Sequence, residues 1–165
     1  MLFTSDKKAK EKLIEDKLLS NYNRYYRLAY SYVHNEADAG DIVQNGAYKA
    51  ILHSDTLRQE QYVETWIYRI MLNEIFTFLK KPVMTSIDDM EERGKEDSYE
   101  NLDLLRALES LAKEDRMVIQ LRYFEDMKLE EIADILNENV NTVKSRLYRS
   151  IKKLQVKLTD DSATA

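Results

Sequence analysis

The chain has 165 residues, a formal net charge of -5 at pH 7 and a hydrophobic fraction of 44%. This length allows one hydrophobic core or two small ones, and the hydrophobic fraction excludes a wholly disordered chain. The lack of cysteine excludes disulfides and thiolate metal sites, and the acidic balance argues against indiscriminate coating of nucleic acid.

Helical periodicity dominates the sequence. Three Gly and one Pro provide little of the turn chemistry that a sheet needs, so we predict an all-α protein. No apolar run approaches the roughly 20 residues of a membrane span. The first residues, MLFTSDKKAK, do not lead into a signal-peptide core, and we therefore expect a cytoplasmic protein.

Residues 5–33 have the spacing of one or two amphipathic helices. Five tyrosines lie between residues 22 and 32, and such rings can stack on nucleic-acid bases. At helical spacing, however, we interpret them as core and rim packing. His34 and Asn35 end the segment. Its apolar stripe consists of Leu13, Ile14, Leu18, Tyr22, Tyr25, Leu28, Ala29, Tyr32 and Val33.

Another helix is predicted from Glu36 onwards, because acidic residues are favoured in the first turn of a helix by its dipole. Its predicted core residues are Ile42, Val43, Ala47, Ala50 and Ile51. Residues 34–41 also contain one histidine and three carboxylates. Their spacing matches no known metal-ligand pattern, so we expect neither a metal ion nor a cofactor.

The polar run HSDTLRQEQ, residues 53–61, predicts a loop before a long helix from about Tyr62 to Lys81. The apolar face of this helix contains Val63, Trp66, Ile67, Ile70, Met71, Ile75, Phe78 and Leu79. A polar stripe of Arg69, Asn73, Thr77 and Lys80 continues into Lys81. Cations there can follow a phosphate backbone and Asn can read a base edge, but the helix dipole also favours cations at this end. The spacing alone leaves both interpretations open.

Pro82 marks a boundary, because its ring cannot continue the helical hydrogen bonding. Residues 82–100 contain seven acidic and two basic side chains, a local charge of -5. We predict two small helical domains, residues 1–81 and 101–158, joined by this acidic linker. Leu102, Leu105, Leu108 and Leu111 begin the second domain, and residues 159–165 are predicted to be a disordered tail.

The run KLEEIADILNENVNTVKSRLYRSIKKLQVKL, residues 128–158, predicts a helix-turn-helix. Asn137 is a candidate stop for the first helix, since Asn tolerates the left-handed backbone conformation that ends helices. Asn141 or Thr142 can then cap the second helix. One face of the first helix carries Leu129, Ile132, Ala133 and Leu136.

The second helix of this motif separates an apolar and a basic face. Its apolar stripe consists of Val143, Leu147, Ile151 and Leu154. The outward face carries Lys144, Ser145, Tyr148, Arg149 and Lys152. Residues 141–158 include six basic residues and no acidic one, a local charge of +6. Such a helix fits a DNA major groove, but a solvated hairpin has the same pattern, so periodicity leaves both alternatives open.

Three segments resemble bacterial RNA polymerase sigma factors of the extracytoplasmic-function (ECF) group. ALESLAKEDRMVIQLRYFEDMKLEEIADILNENVNTVKSRLYRSIKKL, residues 107–154, resembles sigma region 4, and TVKSRLYR is its most specific part. DAGDIVQNGAYKAI, residues 38–51, resembles region 2.2. ETWIYRIMLNEIFTFLKK, residues 64–81, resembles regions 2.3 to 2.4. Blocks in the family's order are more specific than a single helix-turn-helix.

The resemblance implies a transcription initiation factor that is not an enzyme and has no small-molecule substrate. The minus-thirty-five element would be read by Lys144, Ser145, Tyr148, Arg149 and Lys152. Melted minus-ten DNA would be held by Arg69, Asn73, Lys80 and Lys81. The β′ clamp of core RNA polymerase would be bound by Asp41, Gln44 and Asn45. Further implied partners are the polymerase β flap, promoter DNA and an anti-sigma factor, which in this family is commonly membrane-anchored.

Several positions depart from the family pattern. In the region 2 segments, Asn45 stands where the family commonly has an acidic residue, Ala47 where it has an aromatic, Leu72 where it has Arg and Thr77 where it has Asp. In the region 4 segment, Ala112 stands in place of Pro, Glu138 in place of an apolar residue and Asn141 in place of Gly. The resemblance also leaves the linker with two readings. It either threads towards the polymerase active site and RNA exit channel or serves as a solubilising tether.

Two other functions compete with the sigma-factor hypothesis. One is a polymerase-independent helix-turn-helix regulator in which residues 1–81 form a dimerisation or sensing domain. The other is an enzyme that uses His34 or His53 with nearby carboxylates as acid and base. No nucleophile motif, phosphate-binding loop or metal signature supports the enzyme.

Overall fold

The computed structural model describes residues 2–80 and 99–163. These residues belong to two compact units, the N-terminal unit (residues 2–80) and the C-terminal unit (residues 99–163). Within both ranges the regular structure is helical and contains no strand, which confirms the predicted all-α fold class. The α-helices are α1 Leu2–Ser20, α2 Tyr22–Val33, α3 Glu36–Leu52, α4 Val63–Lys80, α5 Tyr99–Glu109, α6 Lys113–Ile119, α7 Leu129–Leu136 and α8 Val140–Ala163.

Helix α4 is central to the N-terminal unit, because it packs against α1, α2 and α3. Ile67 and Ile75 have 0% exposed surface, and the ring of Tyr68 meets that of Tyr25 edge-on with centroids 5.1 Å apart. Burying side chains of this size stabilises the fold by roughly 1.5–3 kcal/mol each. This core sets the rotation of α4 and so directs its polar stripe away from the unit.

Two consecutive residues, His34 and Asn35, separate α2 from α3, and the sequence predicts this boundary. His34 has a left-handed backbone (φ 54°) and ends α2. The side chain of Asn35 then caps α3, because its Oδ1 accepts a hydrogen bond of 2.9 Å from the backbone N–H of Asp38. Helix α1 buries Ile14 completely, and an exposed ion pair of 2.8 Å joins its Lys17 to Glu64 of α4.

The C-terminal unit has a separate core beneath its helix-turn-helix. Helix α6 continues into a short π-helical turn, Gln120–Phe124, before the chain reverses at Asp126 with φ 53°. The backbone N–H of Lys128 donates to the carboxylate of Glu131 at 2.9 Å and stabilises the first turn of α7. The side chains with 0% exposure in this unit include Met117, Val118, Leu121, Ile132 and Val143.

The predicted boundaries differ from the observed ones at two places. Of the predicted linker, residues 82–98 lie outside the described residues, whereas Tyr99 already begins α5. The predicted disordered tail, residues 159–165, is helical as far as Ala163. No Gly or Pro interrupts α8, so nothing in the local sequence ends the helix at residue 158.

The apolar residues at the start of the second domain are not all in the core. Leu108 and Leu111 are buried, but Leu105 is 39% exposed. The neighbouring core position of α5 is taken by Ala107, which is 2% exposed. The leucine spacing therefore identified the helix, but burial within it does not follow that spacing.

Candidate nucleic-acid interface

Helix α8 presents the basic face that the sequence predicts. Val143, Leu147 and Leu154 are buried, so the opposite side of the helix must face solvent. The predicted DNA-reading residues are all exposed, namely Lys144, Ser145, Tyr148, Arg149 and Lys152. Tyr148 and the side chain of Arg149 keep 61% and 62% of their surface exposed, respectively, which leaves hydrogen-bonding atoms available on this face.

The turn before α8 is built by two asparagines. Asn137 has a left-handed backbone (φ 53°) and ends α7, as predicted. The cap of α8 is Asn139, whose Oδ1 accepts a hydrogen bond of 2.8 Å from the N–H of Asn141. The caps predicted at Asn141 or Thr142 are therefore wrong by two or three positions, because α8 already begins at Val140.

A notch of about 300 Å³ opens in the exposed surface of α8 near its N-terminal end. It is lined by Asn141, Thr142, Ser145, Arg146 and Arg149. Amide, hydroxyl and guanidinium groups converge there, and these groups read the edges of bases in a major groove. Arg149 and Ser145 thus belong both to the predicted face and to the notch.

Arg146 has a structural role that the local sequence does not reveal. Its guanidinium Nη2 lies 3.1 Å from Oε1 of Glu138 in the turn, and only 18% of its side chain is exposed. Its Nε lies 3.9 Å from the carboxylate of Asp115 in α6. The departure at Glu138 is thereby explained, since an ion pair with Arg146 replaces the apolar packing that the family uses in this turn.

Helix α4 carries the residues predicted to hold melted DNA. Arg69, Asn73 and Lys80 are exposed along one side, together with Thr77. The fourth predicted residue, Lys81, lies outside the described residues. Leu72, where the family commonly has Arg, is 3% exposed and belongs to the core. It therefore contributes nothing to the polar stripe, in which Asn73 follows Arg69.

Helix α3 presents the side chains predicted to bind polymerase. Asp41, Gln44 and Asn45 are exposed, while Ile42 and Val43 are buried against the rest of the unit. The opposite orientation would expose two aliphatic side chains and bury a carboxylate, which is unfavourable. The core therefore determines which side of α3 is available to a partner.

Two further residues extend this side of α3. Tyr48 and Leu52 lie seven and eleven positions after Asp41, at the helical spacing that keeps them on the same face. They are 68% and 51% exposed, respectively. Sequence reasoning missed them, although their spacing was a usable signal, because large apolar residues are by default assigned to a core.

The tyrosines of α2 divide between core and surface. Tyr25 and Tyr32 are buried, as core packing predicts. Tyr22, Tyr26 and Tyr30 form a file of stacked rings with successive centroids 6.3 Å apart. Desolvation and the nearby carboxylate of Glu36 raise the pKa of Tyr26.

The described residues contain no arrangement of three or more histidine and carboxylate side chains that could hold a metal ion. In the segment singled out by the sequence, His34 is exposed and its ring lies edge-on to that of Tyr30 at 6.3 Å. None of the described helices is long and apolar enough to cross a membrane.

Comparison with known proteins places both units in one family. The sigma-70 region 2 model matches residues 18–82, and the sigma-70 region 4 model matches residues 101–154. The RNA polymerase sigma factor SigV of Bacillus subtilis (strain 168) is 44% identical over 142 residues, which cover 83% of this chain and 86% of that protein. The ECF RNA polymerase sigma-E factor of Escherichia coli (strain K12) is 31% identical over 141 residues, covering 73% of this chain and 74% of that protein.

Solved structures support the same fold. The sigma factor RpoE of Bartonella quintana, in complex with the anti-sigma factor NepR, superposes with a TM-score of 0.71 at 23% identity and covers 88% of this chain and 96% of its own. CnrH in complex with the cytosolic domain of CnrY gives a TM-score of 0.72 at 22% identity, covering 94% of this chain and 98% of its own. With both region models matched in order and a relative at 44% identity, the chain belongs to the ECF group of the sigma-70 family, the RNA polymerase sigma factors that direct promoter-specific initiation of transcription.

Proposed function

We propose that this sigma factor reads the minus-thirty-five element with the exposed face of α8 and holds melted minus-ten DNA on the polar stripe of α4. The observation that carries the proposal is the concentration of positive charge on α8. Residues 141–158 contain six cations and no carboxylate in a chain whose net charge is -5. Cations placed along one helix attract phosphates, and the notch beside Arg149 offers hydrogen-bonding groups to base edges.

The exposed side of α3 is the proposed contact with core RNA polymerase, at its β′ clamp. Asp41, Gln44 and Asn45 supply polar groups, and Tyr48 adds a large exposed ring. Aromatic residues of this kind dominate the energy of many protein interfaces, because they bury a large area with few rotatable bonds. The β flap is the second proposed polymerase contact, made by the C-terminal unit.

Joint binding through polymerase explains how two small DNA-binding surfaces become specific. A single helix in a groove makes few phosphate and base contacts, so neither unit alone should bind promoter DNA tightly. When both are attached to one polymerase, the second contact forms at a raised effective concentration. The protein accordingly acts as a subunit and not as an enzyme, and its place of action is the cytoplasm, where polymerase and promoter meet.

An anti-sigma factor is the proposed regulator. The sigma factor RpoE of Bartonella quintana was solved in complex with the anti-sigma factor NepR, and CnrH was solved in complex with the cytosolic domain of CnrY. A partner that covers the exposed side of α3 would block polymerase binding directly. Such a partner, if anchored in a membrane, would also hold this protein at the membrane until it is released.

The experiment that tests the function combines two measurements on the full chain. Purified protein is first passed over a sizing column with bacterial core RNA polymerase. The mixture is then used for run-off transcription from a genomic fragment library. Co-elution and starts at defined sequences are expected. If the protein alone binds duplex DNA and does not bind polymerase, it is instead a polymerase-independent regulator.

Two variants separate the proposed surfaces. Arg149→Ala should lower promoter affinity of the polymerase complex by about tenfold, since a side chain that reads a base contributes roughly 1–3 kcal/mol, while polymerase binding stays unchanged. Lys157→Ala, which removes the same charge from α8 outside the predicted face, is its control.

Asp41→Ala should weaken polymerase binding, with Glu36→Ala on another side of α3 as control. Equal losses of both activities in Arg149→Ala would contradict the assignment.

A further inference from the structure

Asp115 is a buried carboxylate directly beneath the DNA-reading helix. It lies in the first turn of α6, and only 6% of its side chain is exposed. Arg146, Arg149 and Lys153 of α8 converge on it at 3.9, 3.7 and 3.7 Å, respectively. A charge removed from water needs such partners, because its desolvation is otherwise costly.

These three contacts orient side chains without clamping them. All three distances exceed the range of a hydrogen bond, so the attraction is electrostatic and tolerates small movements of the cations. The side chains of Arg149 and Lys153 remain 62% and 55% exposed, respectively, and their charged ends can still reach a ligand. Asp115 itself is covered and cannot move out to solvent with them.

The neighbouring charges explain which cation depends most on Asp115. Arg146 has a second carboxylate, since Glu138 lies 3.1 Å away. Arg149 lines the notch of α8 and forms an ion pair with Asp115. On α6 itself, Glu114 is exposed and Arg116 is half-buried. Lys153 also pairs with Asp115, but it does not line the notch. The position of the Arg149 guanidinium is therefore the feature of the notch that loss of Asp115 would disturb.

We infer that Asp115 is a positioning residue that sets how strongly α8 discriminates between DNA sequences. It holds Arg149 at the notch, ready to read a base edge, and it offsets part of the positive charge that would attract any phosphate. Preorganisation of this kind raises specific binding, because less side-chain freedom is lost on contact. The inference rests on the proposed reading of the minus-thirty-five element by α8.

Removing the carboxylate should move specific and nonspecific binding in opposite directions. Without Asp115, Lys153 and Arg149 are free to contact phosphates, so affinity for unrelated duplex rises and its logarithmic salt dependence steepens by about one unit. Recognition of the correct upstream element loses a prepositioned guanidinium. A purely structural role would lower both affinities together and leave the salt dependence unchanged.

The test uses polymerase holoenzyme assembled with the full chain. Its affinity is measured for a promoter found by run-off transcription and for the same fragment with a scrambled upstream element, over a series of KCl concentrations. For Asp115→Asn we expect the affinity ratio of the two fragments to fall about fivefold to tenfold, part of what one base-reading contact supplies. Glu114→Gln removes the same charge from the adjacent exposed position and should leave the ratio unchanged. Asp115→Glu keeps the carboxylate and should retain much of the wild-type affinity ratio.

Each result bears on the inference. An unchanged ratio in Asp115→Asn, or equal losses on both fragments, would overturn it. Lys153→Met provides a second test that leaves the core intact: affinity for scrambled DNA should fall while the ratio is kept, and a reduced ratio would also overturn the inference. In the Arg149→Ala background, Asp115→Asn should have no further effect on the ratio. If wild-type holoenzyme itself does not discriminate, the proposed function of α8 fails instead.

Discussion

Individual residues in the turns explain how this chain tolerates departures from its family's pattern. Glu138 replaces an apolar residue, and its ion pair with Arg146 at 3.1 Å compensates for the lost packing. Where the family has Gly, Asn141 is accommodated because it lies exposed in the first turn of α8 with a negative φ, which any side chain can adopt. Local chemistry thus differs while the geometry of the helix-turn-helix is retained.

Ala112 is a departure that we expect to cost stability. It has φ -56° and ψ 149°, and a proline ring imposes a φ close to this value. The turn hydrogen bonds here are donated by the N–H groups of Ser110 and Leu111. Ala112→Pro should therefore raise the free energy of unfolding by about 0.4–1 kcal/mol, by restricting the unfolded chain. The change in stability is measured by thermal melting monitored with circular dichroism. A melting temperature below that of the wild type would contradict the prediction.

At the scale of the element, α3 shows how one helix can be loosely and tightly packed within two turns. A Cβ added at Gly40 would meet no heavy atom within 4 Å. A Cβ added at Gly46 would lie 2.5 Å from Sδ of Met71, a residue that is 1% exposed. The second glycine leaves the space into which the side chain of Met71 packs between α3 and α4.

The two glycines form a matched pair for testing this packing. Gly40→Ala should stabilise the protein by roughly 0.5–1 kcal/mol, because alanine loses less backbone entropy in a helix. Gly46→Ala has the same entropic benefit but crowds Met71, and overpacking a core costs about 1–3 kcal/mol. We expect net destabilisation in denaturant titrations. Adding Met71→Val should relieve it, and simple additivity of the two changes would show that the contact is unimportant.

The whole molecule has two separate cores, one for each unit. Ile67 lies in the N-terminal core and Ile132 in the C-terminal core, and both are 0% exposed. The single tryptophan, Trp66, belongs to α4 and reports on the N-terminal unit. This placement allows the stability of one unit to be followed by fluorescence while circular dichroism follows both.

Core substitutions should therefore act on one unit at a time. Ile67→Ala and Ile132→Ala should each cost about 2–5 kcal/mol, because each leaves a cavity in a close-packed interior. We expect Ile67→Ala to lower the denaturant midpoint seen by Trp66 fluorescence. Ile132→Ala should leave that midpoint in place and lower the one seen only by circular dichroism. Equal shifts of the fluorescence midpoint would mean that the two units unfold together.

The sequence by itself determined the all-α fold class, the helix-turn-helix and the faces of the helices. Local rules suffice for these features. A period of 3.6 residues identifies which side chains share a face, and Asn137 can adopt the left-handed conformation that ends α7. The outward residues of α3, α4 and α8 followed from the same periodicity together with the resemblance to a family, and their roles in binding stay predictions.

Only the tertiary structure decided what those faces contact. Arg146 belongs, by sequence, to a run of six cations, yet it is mostly covered because Glu138 and Asp115 lie against it. Tyr48 is apolar enough for a core and is nevertheless exposed. Periodicity records the direction of a side chain around its own helix, whereas ion pairs between α6 and α8 depend on how distant segments pack. That packing makes the buried carboxylate of Asp115 a partner of α8.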